Sequence, residues 1–190
     1  MSLSLYKPNS KNTGCGFSFQ LGINNKTQEP VLYAKAIKQH SWDKNKRQGY
    51  FQKNIGIPDK NITIKFNEFE VGSLIYAIST RGEYSTFHSF NDDKTSIKLT
   101  PWDKPSKKSI KNSETGEWEE VPTTVKAYSF SFTRNGNQNF SIGVEPGEAV
   151  AINEFLKFCL QEIFSERTSK QLAEIRSKAA SPQSLTRPPF

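Results

Sequence analysis

The stretch Asn61-Ile62-Thr63-Ile64-Lys65-Phe66-Asn67-Glu68-Phe69-Glu70-Val71 recurs in outline as Asn139-Phe140-Ser141-Ile142-Gly143-Val144-Glu145-Pro146-Gly147-Glu148-Ala149, an offset of 78 residues from 61 to 139. In each copy the apolar residues first fall at every second position, the period of a half-buried strand, and then shift to helical spacing. Val71, Leu74, Ile75 and Ile78 make one helical stripe, and Ala149, Ile152, Phe155, Leu156, Cys159, Leu160 and Ile163 make the other. Asn67 suits a helix cap with Glu70 three residues on, and Pro146 suits a first helical turn. A repeat of this kind is one supersecondary unit used twice, and neither half can bury its apolar face alone.

The same alternation of period two marks the rest of the first 145 residues. Phe17, Phe19 and Leu21 oppose Ser18 and Gln20, and similar patterns cover residues 31–39, 62–66, 84–90, 97–99, 128–132 and 140–144. With a short strand at 49–52, the expectation is about eight strands in an α+β fold, two antiparallel four-stranded sheets each followed by a buried helix. Residues 1–164 are expected to form one domain whose halves run from about 1 to 80 and from 84 to 164. Residues 103–124 mix Lys, Ser, Glu and Pro without periodicity and read as a long exposed loop. Residues 165–190 read as a tail, partly helical to about Ala180 or flexible, and ending in Thr-Arg-Pro-Pro-Phe, which cannot be helical.

Lys and Arg number 26 against 19 Asp and Glu, a net charge of +7, which favours a polyanionic partner. No segment reaches the roughly 20 apolar residues of a membrane span, and no signal-peptide pattern is present. Together with two isolated cysteines, Cys15 and Cys159, this points to a soluble protein of a reducing compartment, a bacterial or host-cell cytoplasm or an organelle matrix after loss of a presequence.

From Asn61 to Phe164 the order of motifs resembles the Whirly family of single-stranded DNA-binding proteins. The residues that carry the resemblance are Glu70-Val71-Gly72-Ser73-Leu74-Ile75, Thr86-Phe87-His88, residues 94–101, residues 128–133, and Phe140–Val144 with its helix. In the comparable place to the lysine-glycine-lysine-alanine strand motif of the plant members stands Asn12-Thr13-Gly14-Cys15-Gly16-Phe17. The resemblance implies two four-stranded sheets each followed by a helix, a tetramer with outward-pointing sheets, and single-stranded DNA held between sheets of neighbouring subunits. A relative that binds RNA, like the similar guide-RNA-binding proteins of kinetoplastids, is the alternative. So is a non-catalytic adaptor subunit whose C-terminal tail docks onto a protein partner.

Binding of single strands requires cations along the phosphate path and flat rings on which bases stack. Trp42, Tyr50 and Phe51 stand among Lys44, Lys46 and Arg47 in a polar hairpin connection, the first candidate cluster. Lys35, Lys38, Lys65, Lys98 and Lys126, set within strands beside apolar neighbours, are expected on the face opposite the core. Phe87 and Trp102 are further candidate platforms, Phe87 pointing away from Thr86 and His88. No metal site, cofactor or catalytic group is expected. His40 and His88 are the only histidines and have no Cys or carboxylate cluster at ligand spacing, and Gly14-Cys15-Gly16 lacks the Lys and Ser or Thr of a phosphate loop.

Overall fold

The computed structural model describes residues 1–113 and 116–180 of the chain. In chain order the elements are β1 (Ser2–Lys7), β2 (Cys15–Ile23), β3 (Pro30–Lys38), β4 (Ser41–Asp43), β5 (Gln48–Tyr50), β6 (Asn61–Phe66), α1 (Glu68–Thr80), β7 (Tyr84–Phe90), β8 (Asp93–Lys111), β9 (Trp118–Arg134), β10 (Gln138–Val144) and α2 (Pro146–Ala180). Two antiparallel four-stranded meanders, β1-β2-β3-β6 and β10-β9-β8-β7, each feed a helix, so the order of the repeat is the order of the fold.

Alternation decides which face of each sheet is covered. Phe17 and Phe19 on β2 meet Phe130 and Phe132 on β9, with the rings of Phe17 and Phe132 5.0 Å apart and those of Phe17 and Phe130 5.3 Å apart. The inner faces of the two sheets thus share one phenylalanine-rich core. Leu32, Ala34 and Ala36 of β3, Ile62, Ile64 and Phe66 of β6, and Phe140, Ile142 and Val144 of β10 join it. Val71 and Leu74 of α1 and Ile152, Leu156 and Cys159 of α2 enter from the helices, as their stripes predict. Neither sheet could be covered by its own helix alone, which is why the duplicated unit needs its copy.

Both helix entries use a glutamate three residues in to accept from the cap amide. The Asn67 side chain accepts from the Glu70 amide at 2.9 Å while Glu70 accepts from the Asn67 amide at 3.0 Å, a full capping box. In the second copy the Glu145 amide donates to Glu148 at 2.8 Å.

Three expectations are corrected. Ser2–Lys7, overlooked in the sequence, is the edge strand of the first sheet, with Leu3 and Leu5 inward and Ser2, Ser4 and Tyr6 outward. The strand expected at 49–52 pairs only with β4, as a hairpin apart from the sheet. Its turn is set by Asp43, whose carboxylate accepts from the Asn45 and Lys46 amides. Within 103–124, residues 103–111 and 118–124 are strand and not loop, because β8 and β9 continue pairing from Trp102↔Ala127 to Lys111↔Trp118. β7 leaves β8 at Leu99 and β10 leaves β9 at Tyr128, so beyond that level the pair is a two-stranded ribbon. With solvent on both faces, the ribbon has no reason to alternate apolar and polar residues, and its sequence carries no strand signal.

The last helix runs without a break to Ala180, tied to the body where Arg167 pairs with Glu68 at 2.8 Å. The terminal Thr-Arg-Pro-Pro-Phe lies outside the described residues.

Candidate nucleic-acid interface

Pairing register carries the outward residues of each sheet into rows. Ser4, Ser18, Lys35 and Thr63 lie side by side across β1, β2, β3 and β6. Ser85, Lys98, Ser131 and Ser141 lie side by side across β7, β8, β9 and β10. Thr63 and Ser141 occupy the same position of the repeat, so the two rows correspond, each a line of hydroxyls with one lysine on an inner strand, Lys35 on the third strand of its sheet and Lys98 on the second. Hydroxyls and a lone ammonium suit phosphate and sugar contacts, which position a strand without reading its bases.

Aromatic rings flank both rows. Tyr6, 54 % exposed, covers Gly16 on the neighbouring strand, where a Cβ would come within 2.5 Å of the ring. On the second sheet Trp102, 43 % exposed, lies beside Gly143, where a Cβ would only touch it at 3.6 Å, and Phe87 stands outward at 60 % exposure. Phe87 and Trp102 keep ring surface in solvent, as a stacked base requires, whereas the Tyr6 ring is also met by Phe51.

Over the first sheet the β4–β5 hairpin makes a wall. A groove of about 810 Å³ opens between it and the sheet, lined by Tyr6, Lys35, Ile37, Arg47, Tyr50, Phe51, Asn61 and Thr63 among others. Lys35, Arg47, Tyr50 and Phe51 are therefore brought together. Trp42, Lys44 and Lys46 share the hairpin without lining the groove, Trp42 partly buried and both lysines exposed at the turn. Phe51 differs from expectation, since it is buried and its ring packs on Tyr6 with centroids 5.1 Å apart. It supports the hairpin rather than offering a free surface.

Of the strand lysines, Lys35, Lys65 and Lys98 point outward and form no ion pair among the described residues. Lys35 donates to Gln20 at 3.2 Å, and Lys65 lines a separate crevice with His88, Phe90 and Arg134 where β6 approaches β7. Lys38 and Lys126 do not face outward. Lys38 shares the inward side of β3 with Ala36, and its Nζ sits 5.1 Å from the centre of the Phe140 ring. Lys126 bonds Asp103 at 3.0 Å, and that ammonium, with Arg81 beside it, holds the Asp103 carboxyl below its usual range. Sequence reasoning missed Tyr6 and both hydroxyl rows, although Ser2-Leu3-Ser4-Leu5-Tyr6 alternates as a strand should.

The titratable groups elsewhere serve the fold. His88 Nε2 lies 2.6 Å from Glu70 Oε1, and that glutamate is already part of the capping box of α1. Burial pushes both thiols, Cys15 and Cys159, up to about 11, far from a thiolate at neutral pH. Among the described residues there is no group of three His, Cys, Asp or Glu that could hold a metal ion, and no helix long and apolar enough to cross a membrane.

The architecture is Whirly-like, an α+β fold of two antiparallel sheets and two helices. Among solved structures it is similar to WHY1 from Arabidopsis thaliana (TM-score 0.53, 11 % identity, 98 % of this chain and 97 % of that one) and to WHY3 from the same plant (0.53, 12 %, 94 % and 96 %). It is also similar to the plant transcriptional regulator PBF-2 (0.52, 13 %, 89 % and 85 %). No family model and no curated protein sequence matches the chain.

Proposed function

We propose that this protein binds single-stranded nucleic acid, DNA in the first place, with little preference for sequence and without catalysing a reaction, so protecting or organising single strands in replication, recombination, repair or transcription. The observation that carries this reading is the pair of outer sheet faces, each with a lysine-centred row of hydroxyls flanked by exposed rings and left uncovered by the chain's own helices. The Whirly-like fold supports it, one of the similar structures being a transcriptional regulator. Residues 1–164 would act as one binding unit. Phe69 at 81 % and Tyr76 at 71 % exposure on α1, with Phe164 on α2, support assembly through the helical side, four copies being favoured by the family resemblance, with the sheet faces left free.

The test is fluorescence anisotropy with single-stranded DNA, duplex DNA and RNA of equal length. Single-stranded DNA is expected to bind at least about tenfold more tightly than duplex, because pairing hides the base faces that rings stack on. Equal affinity for the two would refute the reading, and tighter binding of RNA would move it to the RNA alternative.

A further inference from the structure

A buried amide ties the hairpin that walls the groove to the turn after β1. Gln39, between β3 and β4, is 5 % exposed, and its side chain is spent entirely on neighbouring backbone and one side chain. Its Oε1 accepts from the Asn9 amide at 2.9 Å, while Nε2 donates to the carbonyls of Asn9 at 3.0 Å and Ser41 at 3.1 Å, with Asn12 Oδ1 at 3.3 Å. One group thus binds the turn after β1 to the first residue of the hairpin. The space it occupies exists because two glycines flank it. A Cβ on Gly14 would come within 2.4 Å of Gln39 Oε1, and one on Gly49, in β5, within 2.3 Å of Pro8 Cβ and 3.2 Å of the Gln39 amide. Besides Gln39 the hairpin region is held by Phe51 on Tyr6 and, at its base, by the Asn54 side-chain amide donating to the Lys38 carbonyl at 2.8 Å, while β4 and β5 pair only with each other. Two-stranded hairpins of that length are marginal in water without outside support.

We propose that Gln39 is a positioning residue for the groove: by pinning the hairpin to the Pro8–Asn12 turn it holds Arg47 and Tyr50 over Lys35 in the free protein, so that a single strand meets a preformed site. This rests on the groove being the place where single strands bind. A preformed wall spares the ordering cost that a loose loop would incur on binding, and so raises affinity without touching the ligand.

The experiment compares the full chain with Gln39→Leu and Gly49→Ala, by hydrogen exchange and by oligonucleotide affinity well below the melting temperature. Leucine keeps the volume and removes every bond, while the alanine methyl pushes the hairpin off Pro8 and leaves Gln39 in place. Expected is exchange at residues 41–50 faster by at least about tenfold with β2 and β9 unchanged, because local opening is governed by local anchorage. Affinity for a thymine oligonucleotide should fall at least about fivefold in both variants. Exchange that rises equally throughout the core, or faster hairpin exchange with unaltered affinity, would overturn the role, as would no change at all. Should Gln39→Leu fail to fold, Gly49→Ala decides alone. Should the unsubstituted chain bind no oligonucleotide, the functional reading fails, and unchanged hairpin exchange would still separately refute the pinning.

Discussion

Replacing Lys35 and Lys98 together by alanine tests the outer faces against the rest of the surface. Four outward cations, Lys35, Arg47, Lys65 and Lys98, are free of ion pairs among the described residues. If each neutralises one phosphate, log affinity for a single strand falls with log salt at a slope of about −2.8, since each contact releases about 0.7 of a counterion. Between 50 and 200 mM salt that is a loss of about fiftyfold. Without Lys35 and Lys98 the slope should drop to about −1.4 and the loss to about sevenfold. Near 0.1 M salt each lysine then contributes about 1 kcal/mol, so the double variant should bind roughly thirtyfold more weakly. Lys38 and Lys126 provide the control, as they face inward or are paired with Asp103. Removing those two should shift the slope by less than about 0.3. Anisotropy titrations at four salt concentrations measure all three proteins, with circular dichroism to confirm folding. An unchanged slope for Lys35→Ala/Lys98→Ala, or an equal change in the control pair, would refute the assignment of the outer faces.

Tyr50→Ala should weaken all short single strands alike, by about 1–3 kcal/mol if a base stacks on it, with the salt slope unaltered; anisotropy with homopolymers of each base checks this. Asn67→Ala removes the cap of α1 and should lower unfolding free energy by about 1 kcal/mol in a urea titration while leaving the groove untouched. The two thiols give a dependence on pH. Their folded values, about 11, lie above the ordinary value of 9.0, so the folded state holds these protons more tightly. The resulting stability is complete below about pH 9 and is lost as pH rises toward 11, which denaturation at pH 8, 9.5 and 10.5 would register. In the same window Cys15 and Cys159 should react with a thiol reagent only as fast as the chain unfolds, whereas rapid labelling of native protein at pH 8 would contradict their burial.

What the sequence made legible were the parts that a shared core imposes. Phe17 and Phe19, Phe130 and Phe132, and the helical stripes of α1 and α2 alternate or recur because one side of each faces other apolar residues. The ribbon after Trp102 is illegible for the opposite reason, as neither of its faces is buried. β1 stayed hidden because only Leu3 and Leu5 mark it. The lysines are a different matter. Lys35 and Lys38 are three residues apart on one strand and therefore cannot share a face, and Lys126 has the parity of Tyr128, Phe130 and Phe132, which are buried. Both corrections were contained in the period of the strand. The groove was not, because its wall depends on Gln39 reaching Asn9 across thirty residues of chain, a contact no local pattern announces.

Duplication itself accounts for the placement of the candidate surface. A single four-stranded sheet with one helix has two apolar demands, the sheet's inner face and the helix stripe, and one copy cannot satisfy both without leaving phenylalanines in water. Two copies packed face to face bury Phe17 and Phe19 against Phe130 and Phe132, and the helices close the remaining side of the core. What is left over is one outer face per sheet, outside the shared core, and on the first of them the β4–β5 hairpin rests through Phe51 on Tyr6. Solubility alone is met by scattered charges of either sign, whereas the outer rows hold hydroxyls and one cation each, Lys35 on the third strand of its sheet and Lys98 on the second strand of the other, beside exposed rings. Tyr6 beside Gly16 and Trp102 beside Gly143 keep rings exposed on both sheets, and under the proposed function these would be stacking surfaces for a flat, anionic and extended partner.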